Sequence, residues 1–267
     1  MAPRTLRGMR VAITGASAGI GAALARALAH EGALLALGAR RLEPLQQLCR
    51  ELGPGHAALC VDVSAPAQCQ DFISAASQHL GGIDTLVCNA GYGMAADVEE
   101  TTLAQWDAIW RTNLLGTTSC IVAALPALRA NALRQGWRGQ VLIVSSALAR
   151  RGKPGASAYC ATKAAQLSVA EALRLELAAE RIGVTSVHPV NTATEFIQVV
   201  ASHGRAWPRS ASDPAQSAEQ VAAAILRGIR RPRPEIWPHR PTRWMLALAA
   251  WMPGTVDRLL ARRLRRP

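Results

Sequence analysis

Tyr159 and Lys163 lie four residues apart, and Ser146 lies thirteen residues upstream of Tyr159. Residues at positions i and i+4 share one face of a helix, so a phenol and an ammonium should be neighbours here. A nearby positive charge favours the phenolate and lowers the pKa of a tyrosine from about 10, which suits proton transfer. Only two of the 30 lysines and arginines are lysines, so abundance does not explain the pairing. The alternative is an exposed polar pair, and the other motifs of the chain decide against it.

A glycine-rich segment follows the first predicted strand. Residues 10–14 read as a short buried strand, and residues 14–21 lead into an Ala/Leu-rich helix. In this context Gly15 permits a tight turn, Gly19 lets the backbone approach a pyrophosphate, and Gly21 lets the helix pack on the strand. The helix N-terminus adds amide donors for an anion. The segment therefore predicts a dinucleotide site, whereas an ordinary turn would need glycine only for its geometry.

The second predicted strand, residues 33–39, is followed directly by Arg40 and Arg41. In dinucleotide-binding folds an acidic residue near this point binds the ribose hydroxyls, whereas an arginine suits a 2′-phosphate. Ala39 stands where the acidic residue is expected. We therefore predict NADP(H) rather than NAD(H). The alternative is that both arginines are solvated charges at the start of the next helix.

Taken together, the motifs resemble the short-chain dehydrogenase/reductase family over about residues 8–238. The cofactor motif Thr-Gly-x-x-x-Gly-x-Gly matches residues 14–21, and Asn-Ala-Gly matches residues 89–91. Where the family usually has Pro-Gly after the sixth strand, this chain has Pro189-Val190, which changes the backbone expected near the nicotinamide. With the arginine prediction included, the expected cofactor-binding residues are Thr14, Gly15, Ser17, Gly19, Ile20, Gly21, Arg40, Arg41, Asp62, Val63, Asn89, Ala90, Gly91, Tyr159, Lys163, Pro189 and Thr194.

The resemblance also implies a catalytic tetrad of Asn113, Ser146, Tyr159 and Lys163, in which the family spacing selects Ser146 over Ser145. Ser146 would stabilise charge on the substrate oxygen, and Tyr159 would donate or remove its proton. Lys163 would lower the pKa of Tyr159 and bind the nicotinamide ribose. Asn113 would hold a water that relays protons. The hydride chemistry itself would come from the cofactor.

Length and periodicity predict one domain with a parallel sheet. A chain of 267 residues with 50% hydrophobic content can build a single sizeable core. Strand-like runs alternate with helical stretches, which predicts a Rossmann-type, doubly wound α/β fold with about seven mostly parallel strands. The predicted strands are residues 10–14, 33–39, 57–62, 84–89, 140–145, 183–188 and 235–237. We predict an NADP-binding catalytic domain over residues 1–238 and a basic, Trp/Leu-rich extension over residues 239–267.

Positive charge is concentrated near the C-terminus. Residues 226–267 hold eleven arginines against Glu235 and Asp257, a net +9 (11 − 2) of the total +12. Three tryptophans follow one another at seven-residue spacing from position 237, and the apolar run 244–252 is shorter than the roughly 20 residues that span a bilayer. After Pro253, leucines recur at helical spacing opposite arginines. Such a segment suits an anionic membrane surface. Equally, its apolar side chains could cover the substrate cleft or a subunit interface.

The cysteines and the N-terminus indicate the compartment. The six cysteines show no Cys-x-x-Cys pair or metal-ligand spacing, so we predict free thiols in a reducing cytosol and no metal. The N-terminal residues lack a signal-peptide pattern. We therefore predict a cytoplasmic protein, peripheral on the inner face of a membrane if the C-terminal segment contacts lipid. No nucleic-acid-binding motif is evident, so we expect no nucleic acid among the partners.

The favoured function is reduction of a ketone to an alcohol with NADPH, or the reverse. Residues 92–94 and 196–200 are mostly apolar, which favours a lipophilic carbonyl or alcohol substrate. Arg150, Arg151 and Lys153 could instead contact an acidic substrate or carrier. The alternative function is a catalytically silent cofactor sensor or a membrane- or partner-binding protein. The family resemblance also implies a homodimer or homotetramer, paired through the helices that begin near residues 114 and 157.

Overall fold

The apolar runs predicted as strands form a parallel sheet in the computed structural model, which describes residues 2–193, 200 and 215–264. In chain order the strands are β1 (Arg10–Thr14), β2 (Leu34–Ala39), β3 (Ala57–Cys60), β4 (Thr85–Cys88), β5 (Gly139–Val144), β6 (Ile182–Val187), β7 (Asn191–Ala193), β8 (Ala215–Ser217) and β9 (Glu235–Ile236). Strands β7 and β8 pair with each other, and the remaining seven form one sheet in the order β3-β2-β1-β4-β5-β6-β9. The predicted strand bounds are correct to within two residues.

Helices connect the strands and cover both faces of the sheet. Their bounds are α1 (Gly19–His30), α2 (Leu42–Leu52), α3 (Pro66–Leu80), α4 (Leu103–Trp110), α5 (Gly116–Ala130), α6 (Ser157–Glu176), α7 (Ala218–Arg230), α8 (Arg240–Trp251) and α9 (Pro253–Leu264). A π-helical turn, Arg111–Leu115, joins α4 to α5. This arrangement confirms the predicted Rossmann-type α/β fold.

The core consists of two apolar layers, one on each face of the sheet. Because successive side chains of a strand point to opposite faces, Val11 and Ile13 belong to one layer and Ala12 to the other. The first layer includes apolar residues of α1, α2 and α7, and the second includes those of α3 and α5. Strands that are buried on both faces read as continuous apolar runs, which is why the sequence located them.

The order of the strands in the sheet predicts where a ligand would bind. Strand β1 lies between β2 and β4, so the chain connections run in opposite directions on either side of β1. In open parallel sheets, ligands bind outside the carboxyl ends of the strands at such a switch point. The glycine turn after β1 and the Asn-Ala-Gly segment after β4 both lie there, because each directly follows the carboxyl end of its strand.

The C-terminal helices α8 and α9 carry several exposed apolar side chains close together. Large hydrophobic residues stand exposed along both helices: Trp244, Met245, Leu248, Trp251, Met252, Leu259 and Leu260. Within the described residues, no helix has the length and apolar content needed to cross a bilayer. The division at residue 238 and the membrane contact of this segment stay predictions.

Candidate active site

The turn after β1 has a geometry that requires glycine. Gly15 and Gly19 have φ angles of +67° and +54°, in the left-handed region that side chains disfavour. A Cβ on Gly15 would also lie 2.8 Å from Ala90 Cα, and one on Gly21 would clash with the carbonyl oxygen of Gly15. The turn is thus pressed against the segment after β4, as the spacing of the motif predicts.

Thr14 and Asn89 hold these two segments together. Thr14 Oγ1 accepts hydrogen bonds from the backbone N–H groups of Asn89 and Ala90, both at 3.1 Å. Asn89 Nδ2 donates to the backbone oxygens of Thr14 at 3.0 Å and Gly15 at 2.9 Å. Both motifs are therefore parts of one rigid corner at the ends of β1 and β4.

The N-terminus of α1 suits an anionic group. Its N-cap is Ala18, which forms no side-chain cap, and its first turn contains no acidic residue. The amide donors of this turn are consequently not used by a side-chain cap, and the helix dipole favours negative charge there. Ser17 and Ile20 lie in the same segment, and Ile20 packs on the core. The segment thus fits the pyrophosphate of a dinucleotide cofactor.

The remaining predicted cofactor residues surround this corner. Arg40 and Arg41 are exposed at the end of β2, and the charge of Arg40 acts on Tyr92 across the crevice. Asp62 Oδ1 accepts from the backbone N–H and the hydroxyl of Ser64, at 2.9 and 2.8 Å, which shapes the turn after β3.

The other predicted positions differ in how far the structure describes them. Val63 is buried, and a Cβ on Gly116 would meet it. The carbonyl of Pro189 accepts from the backbone N–H of Ala147 at 2.9 Å, which ties this segment to the one that carries Ser146. Gly91 packs beside Asn113 and Lys163. Thr194 lies outside the described residues.

Ser146 and Tyr159 are brought together at the end of β5 and the start of α6. Both are buried, and they share a hydrogen bond that favours the phenolate. Ser146 Oγ also accepts from the backbone N–H of Leu148 at 3.1 Å. Ser145 points elsewhere, since its hydroxyl donates to the carbonyl oxygen of Lys163 at 2.9 Å. The geometry therefore favours Ser146 over Ser145 as the residue that faces a substrate oxygen.

The predicted effect of Lys163 on Tyr159 is wrong for this arrangement. Burial raises the pKa of Tyr159 above its ordinary value, and the hydrogen bond with Ser146 only opposes that shift. Lys163 Nζ lies 5.7 Å from the centroid of the tyrosine ring and donates instead to Val144 O at 3.0 Å and Gln166 Oε1 at 2.9 Å. Burial lowers the pKa of Lys163 itself to about 7. Desolvation thus affects the pKa of Tyr159 more than the nearby Lys163 does, whereas the spacing argument relied on that proximity.

Asn113 lies fully buried in the π-helical turn, and its side chain is fixed by the segment after β4. Its Oδ1 accepts from Tyr92 N at 3.0 Å, and its Nδ2 donates to Tyr92 O at 2.9 Å and Thr162 Oγ1 at 3.1 Å. Its backbone carbonyl accepts from Thr117 Oγ1 at 2.8 Å and Gln166 Nε2 at 2.6 Å. The water that the resemblance assigns to Asn113 stays a prediction.

An apolar cluster surrounds Tyr159. Tyr159 forms a buried cluster with Met94, Ile109 and Ala158, and partly buried aromatic side chains pack against it. Two of the basic residues considered for acidic ligands are used within the protein. Arg150 pairs with Glu235 and with Glu171, and Arg151 pairs with Asp257 of α9. The surroundings of the phenol are therefore mainly apolar.

Residues outside the tetrad support it, and from the sequence His188 is expected to be a packed histidine rather than a catalytic one. His188 Nδ1 lies 3.0 Å from Ser146 O, and its ring stacks on Trp237 at 4.4 Å between centroids. Burial lowers the pKa of His188 to about 4, so the neutral ring donates from Nδ1 to the carbonyl. The sequence argument missed Gln166, although its position three residues after Lys163 on one helix face was a usable signal. Nothing in the spacing of the tryptophans separates Trp237, which packs here, from exposed Trp244 and Trp251.

Comparisons with known proteins agree with this geometry. The family model described as short chain dehydrogenase matches residues 9–204. The chain is 35% identical over 255 residues to 11-beta-hydroxysteroid dehydrogenase-like 3 of Arabidopsis thaliana, covering 92% of this chain and 78% of that protein. It is 34% identical over 236 residues to glycine betaine reductase ATRR of Emericella nidulans, covering 85% of this chain but only 18% of that much longer protein.

Two solved structures are similar over most of the chain. A short chain dehydrogenase from Burkholderia cenocepacia J2315 in complex with NADP has a TM-score of 0.76 and 28% identity, covering 88% of this chain and 97% of that one. A 3-ketoacyl-(acyl-carrier-protein) reductase from Brucella melitensis complexed with NADH has a TM-score of 0.78 and 26% identity, covering 88% and 99%. The chain therefore belongs to the short-chain dehydrogenase/reductase family of oxidoreductases, which use a nicotinamide cofactor.

Proposed function

We propose that this oxidoreductase reduces a lipophilic ketone to an alcohol with NADPH, with Tyr159 as the proton donor. The observation that carries the proposal is the setting of Tyr159, a buried phenol in an apolar cluster that shares a hydrogen bond with Ser146. Burial raises the pKa of this phenol, so it stays protonated at neutral pH and is ready to donate. In the reduction, this phenol supplies the proton that the carbonyl oxygen takes up.

We propose a role for each member of the tetrad from its contacts and from the family resemblance. Ser146 holds the substrate oxygen beside the phenol, and Tyr159 delivers the proton to that oxygen. Lys163 presents its ammonium beneath the tyrosine ring and binds the nicotinamide ribose. Asn113 locks the segment that contains Tyr92 against α6 through its side-chain amide. The bound cofactor supplies the hydride.

We further propose that NADP(H) is preferred over NAD(H). One similar structure holds NADP and another holds NADH, so these comparisons do not distinguish the two cofactors. The preference is argued from the residues at the end of β2. There Ala39 replaces an acidic residue, and Arg40 and Arg41 are exposed beside the crevice. Two guanidinium groups suit a 2′-phosphate, which an aspartate or glutamate would repel. Asp62 is proposed to contact the adenine.

The proposed substrate class is argued from the apolar cluster around Tyr159. Met94, Ile109 and Leu148 offer no charge to an acidic or sugar-like ligand, and Arg150 and Arg151 are paired within the protein. The relative from Arabidopsis thaliana carries a hydroxysteroid dehydrogenase name, and the Brucella melitensis neighbour is a ketoacyl reductase. Both names are compatible with a lipophilic ketone.

Two proposals concern the surface. Exposed Val122 on α5 and Leu175 on α6 support pairing of subunits through these helices, as a homodimer or homotetramer. Exposed Trp244, Leu248 and Trp251 on α8, next to a strongly basic C-terminus, support reversible binding of a cytoplasmic protein to an anionic membrane surface.

The experiment that tests the function measures NADPH and NADH oxidation with a panel of steroid, long-chain keto-acyl and sugar ketones. The proposal expects turnover with NADPH and a lipophilic ketone, and little with sugars. A protein that binds NADPH tightly and turns over no ketone or alcohol would instead be a cofactor sensor. The complete tetrad argues against that alternative, because a sensor has no use for a proton donor.

A further inference from the structure

A buried side-chain bridge links Lys163 to Asn113. Gln166 is fully buried on α6, one turn after Lys163. Its Oε1 accepts from Lys163 Nζ at 2.9 Å, and its Nε2 donates to Asn113 O at 2.6 Å and to Thr117 Oγ1 at 2.9 Å. Thr117 Oγ1 in turn donates to Asn113 O, so its free lone pairs face the amide. Both ends of Gln166 are therefore engaged in buried hydrogen bonds.

The chemistry of the two neighbours selects an amide at this position. An ammonium can only donate hydrogen bonds, and a peptide carbonyl can only accept them. The side chain between Lys163 and Asn113 must therefore offer an acceptor on one side and a donor on the other. Glutamine does so at this length, whereas ionised glutamate offers acceptors only and methionine offers no strong partner. The same argument fixes the orientation of the amide. If Oε1 and Nε2 were exchanged, a donor would face the Lys163 ammonium and an acceptor would face the Asn113 carbonyl.

The surroundings leave few other groups to stabilise the ammonium. Val144 O of β5 is the second acceptor, and the Tyr159 ring centroid lies 5.7 Å from Nζ on the same helix. Gly91 approaches from the segment after β4. Within the part of the chain that the structure describes, no carboxylate forms an ion pair with Lys163. Two carbonyl-type oxygens therefore oppose the burial that disfavours the charged form.

We propose that Gln166 is a positioning residue for the oxidoreductase function proposed above. It holds the Lys163 ammonium in its charged form and fixes it to the π-helical turn that carries Asn113. Removing its acceptor destabilises the ammonium, and replacing it with a carboxylate stabilises the ammonium further. The bridge also sets the direction of Nζ, because two fixed acceptors determine where its remaining hydrogen points.

The test exploits the presence of only two lysines, Lys153 and Lys163. Lysine labelled with ¹⁵N at Nζ gives two side-chain signals, and NMR titration of the cofactor-free protein follows each of them without requiring catalysis. Compared with wild type, Gln166→Met should lower the pKa of Lys163 by about one unit and Gln166→Glu should raise it by about one unit. The signal of Lys153 is the internal reference. In active protein, the pH profile of kcat/KM should move in the same directions.

Gln140→Met is the matched control. Gln140 is equally buried and bonded to Arg4, Thr185 and Gly228 O, but it lies at the opposite end of β5. Its loss should reduce stability without moving the Lys163 titration. An unchanged titration in both Gln166 variants, or an equal shift in Gln140→Met, would overturn the proposal. If Gln166→Met does not fold, Gln166→Glu against wild type decides. If the Lys163 titration shifts as expected but the protein reduces no ketone, the role of Gln166 is supported and only the proposed reaction is contradicted.

Discussion

Helices α6 and α8 both mix polar and apolar residues, but the fold treats them in opposite ways. On α6, Tyr159, Lys163 and Gln166 are buried, and lysine and glutamine there have their hydrogen bonds made inside the protein. On α8, Trp244 and Trp251 are 70% and 88% exposed. Burying polar groups costs free energy unless they are bonded, so the buried network on α6 holds its polar side chains in fixed positions. Large exposed apolar side chains indicate a surface that contacts something else.

The largest effect should come from the buried phenol. Tyr159→Phe removes the proton donor while keeping the ring in its apolar cluster, so turnover should fall by several orders of magnitude. NADPH affinity should stay near that of wild type, as measured by fluorescence titration. A variant that keeps more than about a tenth of wild-type turnover would contradict the role of Tyr159.

The cofactor end of the crevice should give the next largest effect. Arg40→Ala combined with Arg41→Ala should weaken NADPH binding by several kcal/mol at most, because each charge-assisted contact contributes about 1.5–3 kcal/mol. NADH binding should barely change, since NADH lacks the 2′-phosphate. The wild-type protein provides the control, and a preference of wild type for NADH would contradict the assignment.

The two adjacent serines form a matched pair. Ser146→Ala should reduce kcat about 100- to 1000-fold, as expected when a donor to the developing oxyanion is lost. Ser145→Ala should cost far less turnover, because that hydroxyl bonds the backbone of α6. Equal losses in the two variants, measured by steady-state kinetics, would remove the distinction that the geometry draws between them.

Burial of Lys163 should make stability depend on pH. The pKa of Lys163 is lowered by burial to about 7, so between about pH 7 and its ordinary pKa near 10.5 the unfolded chain binds more protons. The stability contribution of this group is therefore poorest at and below pH 7 and improves as pH rises. Lys163→Met removes this term. Its stability relative to wild type should be higher at pH 7 than at pH 10 by on the order of 3 kcal/mol in denaturant unfolding. The contradicting result is a difference that does not vary with pH.

The exposed helices should give the smallest effects, about 1 kcal/mol per arginine near an anionic surface. Sedimentation with anionic vesicles should show binding that weakens as salt rises, and neutral vesicles should bind less. Trp244→Ser combined with Trp251→Ser should reduce the part of vesicle binding that persists at high salt. Leu103→Ser, which changes a side chain 86% exposed at the start of α4, is the control. Absent binding, or binding unchanged by deletion of residues 239–267, would leave these helices as a lid or a subunit contact.

Sequence periodicity located the sheet well because its strands are continuous apolar runs. The glycine turn was predictable for a similar reason, since positive φ and close packing at Gly15 demand glycine locally. The pKa direction of Tyr159 was not predictable, because it depends on burial by residues far away in the chain. The spacing of Gln166 from Lys163 was readable, but its bond to Asn113 and the packing of Trp237 depend on how α6 meets the π-helical turn and β9 meets β6. Helical spacing shows which residues share a face, whereas tertiary packing decides whether that face is desolvated.

The central claim is that Tyr159 protonates the oxygen of a lipophilic ketone, to which a bound NADPH would supply the hydride. The most direct test supplies NADPH deuterated at C4 on each face in turn, with a ketone that the panel identifies, and analyses the alcohol by mass spectrometry. We expect deuterium on the carbinol carbon from one of the two preparations with wild type, and almost no labelled product with Tyr159→Phe. Unlabelled alcohol from both preparations, or equal labelled product from the phenylalanine variant, would contradict the account.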